Sequence, residues 1–198
     1  MTDKAENSSV NQHVPQIRQI PLIWLRKMAT IFLSWDLDKD GVVGYDDFMS
    51  RADKIIQIGC LPSKACDDLI ELFRDTQRRT SDNPNLGFVA GTSLYEQLTG
   101  LWESRDDSAA MDRWCNLYSD VFKIFDTKSA GFLTFEQYIV YWDSFELDKR
   151  FARMQFDYMN TNQDGKLTNE EFNIAYRDYL MSTDEDTHNR FFGPLIIY

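Results

Sequence analysis

From Asp36 to Asp47 the chain reads DLDKDGVVGYDD, with aspartate at the first, third and fifth places of the stretch and glycine at the sixth. Clustered carboxylates repel one another, so a turn that gathers them implies a cation among them. Before the stretch, Leu25, Met28, Ile31, Phe32 and Trp35 recur at three- and four-residue intervals; after it, Phe48, Ala52, Ile55 and Ile56 do the same. Such stripes are the inner faces of amphipathic helices. The local reading is helix, acidic loop, helix. A solvated Asx turn would account for the aspartates alone, but not for the flanking helices and the aliphatic Val43 at the eighth place.

A repeat should show the same frame elsewhere: glycine at place six, an aliphatic at eight, an apolar residue just after twelve. Three further stretches fit it. NTNQDGKLTNEE, Asn160 to Glu171, has Gly165, Leu167 and the following Phe172. DTKSAGFLTFEQ, Asp126 to Gln137, has Gly131, Leu133 and Tyr138. DNPNLGFVAGTS, Asp82 to Ser93, has Gly87, Val89 and Leu94. Pairing of the eighth-place aliphatics, Val43 with Val89 and Leu133 with Leu167, predicts short antiparallel ribbons between neighbouring loops. Pro62 predicts a helix start for a stretch running to about Thr80, and Thr92 and Ser108 are expected N-caps. Thr168 with Glu171 makes a capping box for the last exit helix.

The frames share a shape but not a chemistry. Hard divalent cations take oxygen, and the EF-hand loop, which these frames resemble, supplies it from places one, three, five, seven (a backbone carbonyl), nine and twelve. In the first loop that set is Asp36, Asp38, Asp40, the Val42 carbonyl, a water beside Gly44, and Asp47. In the fourth it is Asn160, Asn162, Asp164, the Lys166 carbonyl, Thr168 and Glu171. Asp47 stands where Glu is usual; its shorter side chain, binding through one oxygen, would lower coordination toward six and suit magnesium as well as calcium. Amides at places one and three of the fourth loop predict weaker attraction there. The third loop, with Lys128, Ala130 and Gln137 at places three, five and twelve, and the second, with Pro84, Leu86 and Ser93, are expected to hold no ion.

Composition narrows the rest. The chain has 198 residues, 43% of them hydrophobic, enough for a sizeable core. A formal charge of -11 without a basic cluster speaks against nucleic acid. The polar opening MTDKAENSSVNQ and the lack of a long apolar run predict a soluble cytoplasmic protein without a membrane span. Cys60, Cys66 and Cys115, odd in number, are expected to be buried thiols rather than a disulfide framework. No phosphate loop or nucleophile with a partner histidine appears, so an enzyme is not expected.

Taken together, DLDKDGVVGYDD, the degenerate second loop and the tail RFFGPLIIY, Arg190 to Tyr198, resemble the invertebrate sarcoplasmic calcium-binding proteins and calexcitin, with coelenterazine-binding proteins and photoproteins as relatives. The resemblance implies an all-α fold of four EF-hands in two pairs. The expected divisions are a polar segment 1–20, a first pair 21–104, a second pair 105–182 and a tail 183–198 that docks on the body. It also implies a monomeric calcium buffer or signal modulator. This sequence departs from the commoner pattern in its third loop, which has lost its ligands. Two alternatives stay open: a carrier of a small apolar ligand of the luciferin kind, and a sensor that opens a partner groove. The 14 Phe, 9 Tyr and 5 Trp could line a cavity, but photoproteins place histidines near the luciferin, and this chain has only His13 and His188, both in polar surroundings.

Overall fold

In the computed structural model, which describes residues 17–82 and 93–196, the apolar stripe before the first loop coils into α1 (Leu22–Trp35). The stripe after it forms α2 (Tyr45–Gly59). Met28, Ile31, Phe32 and Trp35 on α1 and Phe48, Ala52 and Ile55 on α2 are buried, as their spacing predicts. The chain continues through α3 (Ser63–Asp82), α4 (Leu94–Ser104) and α5 (Ser108–Phe125). The second half follows with β1 (Phe132–Thr134), α6 (Phe135–Ser144), α7 (Ala152–Met159), β2 (Lys166–Thr168) and α8 (Asn169–Met181). The fold is helical, with one small antiparallel ribbon among the described residues. In it Leu133 faces Leu167, the pairing the repeat frame predicts. Val89, the expected partner of Val43, lies outside the described residues, as do most of the second loop, His13 and the last two residues of the tail.

Two features of the helix starts and one of the thiols differ from expectation. Ser93, not Thr92, caps α4: its hydroxyl accepts from the Glu96 N–H while Glu96 reaches back to the Ser93 N–H at 2.8 Å. Thr92 has Tyr95 three residues on, which cannot close that box. Asp107, not Ser108, caps α5, its carboxylate accepting from the N–H groups of Ala109 and Ala110; a full negative charge there also suits the positive end of the helix. Of the cysteines only Cys115 is buried; Cys60 is exposed in a left-handed turn that ends α2. As expected, Pro62 precedes α3 and Thr168 with Glu171 boxes the start of α8.

Aromatic rings join the halves. Trp35 packs on Phe48, Phe73 and Phe145 with centroids 4.8, 5.5 and 5.7 Å away, and donates from Nε1 to the Tyr118 hydroxyl at 3.0 Å. Tyr118 stacks on Tyr176 at 4.1 Å and meets both Phe191 and Phe192 of the tail. Those two phenylalanines are 1% and 2% exposed, so this part of the tail is core. At the other end of α1, Trp24 Nε1 donates to the Leu180 carbonyl at 2.7 Å. Among the described residues no helix is long and apolar enough to cross a membrane.

Candidate metal centre

The first, third and fourth loops share one backbone path. Place four has positive φ in each, at Lys39 (64°), Ser129 (49°) and Gln163 (59°), and so has the glycine at place six, at Gly41 (87°), Gly131 (80°) and Gly165 (76°). An added Cβ at these glycines would meet nothing within 4 Å, so the left-handed backbone and not crowding selects glycine. Place nine then caps the exit helix, and the place-twelve side chain folds back on the place-nine N–H. Asp47 Oδ2 accepts from Gly44 at 2.8 Å, Gln137 Oε1 from Thr134 at 3.0 Å, and Glu171 Oε2 from Thr168 at 3.0 Å.

In the first loop this path brings carboxylate oxygens of Asp36, Asp38 and Asp40 within 4.8 Å of one another. Asp38 Oδ1 accepts from the Asp40 N–H at 3.1 Å and Asp40 Oδ1 from the Val42 N–H at 2.8 Å. Asp36, 2% exposed, accepts from the Gly41 N–H through Oδ2 at 3.2 Å, whereas its buried Oδ1 has no hydrogen-bond partner. Asp143 Oδ1 is likewise buried without a partner, but the other oxygen of that carboxylate takes Lys149 Nζ at 2.9 Å, whereas no ion pair reaches Asp36 among the described residues; the unpartnered atoms of Tyr141, Trp142 and Tyr176 are neutral, and a bare carboxylate oxygen is far costlier to bury. Lys39 does not relieve it. Its Nζ turns to the backbone carbonyls of Leu33 and Asp36, at 2.8 and 2.6 Å, and caps the end of α1. Asp47 lies outside the cluster of three, its Oδ1 accepting from the Leu37 N–H at 2.7 Å across the mouth of the loop.

In the third loop the backbone itself satisfies the first-place carboxylate. Asp126 accepts from Ala130 N–H through Oδ1 at 2.9 Å and from Gly131 N–H through Oδ2 at 2.7 Å, so both oxygens are satisfied by the backbone. In the fourth loop Asn162 Oδ1 accepts from the Asp164 N–H at 3.0 Å and Asp164 Oδ1 from the Lys166 N–H at 2.8 Å. Asn160 has two ways to sit there. In one its Nδ2 donates to Asn162 Oδ1 at 2.9 Å and Asp164 Oδ1 at 3.3 Å while its oxygen accepts from the Gly165 N–H at 3.0 Å. Turned over, its oxygen faces the other two, and three acceptors then need a cation between them. Glu171 Oε1 accepts from Thr161 Oγ1 at 3.2 Å, and Thr168 Oγ1 donates to Glu171 Oε2 at 2.9 Å.

One residue that supports the first loop escaped the sequence reading. Arg51 on α2 is 1% exposed, and its guanidinium donates to the carbonyls of Ser34, near the end of α1, and Ser144, at the end of α6. Its place three residues after Phe48 and four before Ile55, on the inward stripe, was the available signal. His188 is exposed.

No protein-family model matches the chain. A sarcoplasmic calcium-binding protein from Hediste diversicolor is 28% identical over 180 residues, covering 88% of this chain and 99% of that protein. Among solved structures, the coelenterazine-binding protein from Renilla muelleri in its calcium-loaded apo form aligns with a TM-score of 0.69 at 20% identity, over 87% of this chain and 96% of that one. Okadaic acid binding protein 2.1 aligns with a TM-score of 0.70 at 18% identity, over 89% and 97%. A sarcoplasmic calcium-binding protein from amphioxus aligns with a TM-score of 0.64 at 19% identity, over 87% and 97%. At such identities the solved structures speak for the fold.

Proposed function

We propose, from the premise that the chain is an EF-hand protein similar to the sarcoplasmic calcium-binding proteins, that it binds calcium in its first and fourth loops and acts in the cytoplasm as a monomeric, non-catalytic calcium buffer or modulator. The observation that carries this reading is the buried, unpartnered Asp36 Oδ1 beside Asp38 and Asp40, with no cation among the described residues turned toward them. A divalent ion supplies the missing positive charge and cancels the repulsion that otherwise destabilises the turn. The proposed ligands are Asp36, Asp38, Asp40, the Val42 carbonyl and Asp47 in the first loop, and Asn160, Asn162, Asp164, the Lys166 carbonyl and Glu171 in the fourth. Magnesium is a proposed competitor in the first loop, where Asp47 is short for two-oxygen binding.

A buffer is favoured over a sensor because the apolar interior is already closed by Phe191 and Phe192, seated among Tyr118, Tyr176 and Tyr179. A luciferin-type carrier needs a cavity of roughly 300 Å³ or more. Two apolar cavities lie among the described residues, one of about 30 Å³ lined by Trp24, Leu101, Met111 and Leu180 and one of about 130 Å³ lined by Trp35, Phe48, Leu72 and Leu117; both are smaller than that, which does not support the alternative. Equilibrium dialysis with calcium, joined to a hydrophobic-dye titration, tests the reading: two retained ions and little change in dye fluorescence are expected. No retained calcium, or a large rise in fluorescence on adding it, contradicts it.

A further inference from the structure

A second cavity, of about 130 Å³, opens among the end of α1, α2, α3 and α5. Its walls are Trp35, Phe48, Leu72 and Leu117, and two cations, Arg79 and Arg113, line it as well. On a chain of net charge -11, two arginines at an apolar cavity are unexpected. Neither is neutralised closely. Arg79 stands 3.9 Å from Asp75 with most of its side chain in solvent, and Arg113 is exposed with no ion pair among the described residues. Asp120, the carboxylate in the lining, is already held by Lys123 at 2.7 Å. Two guanidinium groups therefore stand beside an apolar floor, and the carboxylate in the lining is already paired.

We propose that this cavity binds a small carboxylate with one ring or a short apolar chain, its carboxylate paired with Arg79 and Arg113 and its apolar part between Phe48 and Leu117. The size fits, since an apolar cavity of about 150 Å³ accepts benzene, and guanidinium is the side chain best shaped for a carboxylate. The floor is also tied to the ion loop. Trp35 immediately precedes Asp36, Phe48 immediately follows Asp47, and the two rings lie 4.8 Å apart. Calcium in the first loop steadies both rings, so ion and carboxylate each tighten the binding of the other by one common factor. This link, unlike the site, rests on the calcium reading above.

Fluorine NMR of 4-fluorobenzoate with the full-length protein tests the proposal, with 4-fluorobenzyl alcohol as the neutral control. The expected result is saturable binding of the carboxylate that weakens about tenfold in Arg79→Gln/Arg113→Gln, while any binding of the alcohol is unchanged. Thr76→Phe, which fills the cavity from its partly exposed side, should abolish binding of both. No binding of the carboxylate, indifference to the two arginines, or undiminished binding in Thr76→Phe overturns the site. With chelator in place of calcium the affinity should fall about fivefold. Equal affinity in protein that retains calcium on dialysis overturns the link, while the arginine and cavity variants judge the site whether or not calcium binds.

Discussion

Arg51 Nη1 donates to the Ser144 carbonyl at 2.8 Å, joining the helix that leaves the first loop to the end of α6 in the other half of the molecule. The same guanidinium donates to the Ser34 carbonyl, two residues before the first ligand of the loop, and lies 5.1 Å from the Phe145 ring. Burial lowers its pKa and the nearby Glu146 opposes that shift, so the charge is held by carbonyls inside and a carboxylate outside. One side chain thus fixes three helix segments around the first loop.

Replacing it leaves two helix-end carbonyls without a donor. Arg51→Leu should lower stability by about 3 kcal/mol, read as a lower urea midpoint. Arg51→Lys should recover only a small part, because a point charge on a flexible stem does not reproduce the fork. Full recovery in the lysine variant would show that charge alone matters at this position.

In the proposed ligand set, Asp47 is the residue expected to set the selectivity of the first loop. Both its oxygens are engaged by backbone N–H groups, of Leu37 and Gly44, and its side chain is short for two-oxygen contact with an ion. Asp47→Glu should raise the preference for calcium over magnesium by about tenfold. Calcium calorimetry with and without millimolar magnesium measures it; an unchanged ratio would place selectivity elsewhere.

Lys27 gives the fold a pH dependence of its own. It is 0% exposed, its ammonium donates to the Ser182 carbonyl and lies 5.3 Å from the Tyr179 ring, and burial, partly offset by Asp178, lowers its pKa to about 8. An unfolded lysine titrates near ~10.4, so between these values the unfolded chain holds more protons than the folded one. The contribution of this group to stability therefore rises as pH climbs from about 8 toward about 10.4, and is flat below. Urea midpoints of wild type and Lys27→Met, compared at about pH 7.5 and about pH 9.5, should differ in favour of the wild type at the higher pH. A pH-independent difference contradicts the assignment.

Much of this was legible because it is local. The stripes around Asp36–Asp47 fix α1 and α2, and the repeated glycine and eighth-place aliphatic fix the ribbon in which Leu133 meets Leu167. What could not be read came from competition between neighbours or from distance. Ser93 displaced Thr92 as a cap because the glutamate needed to close the box is Glu96, and Asp107 displaced Ser108 because Asp and Ser cap about equally well and the Asp107 carboxylate, one residue earlier, takes two N–H groups of the first turn. Arg51 and Lys27 find their carbonyls far along the chain, and the apolar stripes named neither of them, because a cation on an inward face is explained only by the distant partner that holds it. The contrast between Asp36, with one bare oxygen, and Asp126, with both satisfied, needed the three-dimensional path of the loops, although the residues at places three, five and twelve had already set the two apart.

Calcium calorimetry on wild type, Asp36→Ala and Glu171→Ala locates the bound ions. Two sites are expected in the wild type and one in each variant, with the site that survives in Glu171→Ala being the one sensitive to magnesium. Stoichiometry unchanged in both variants would contradict the assignment of the ions to the first and fourth loops.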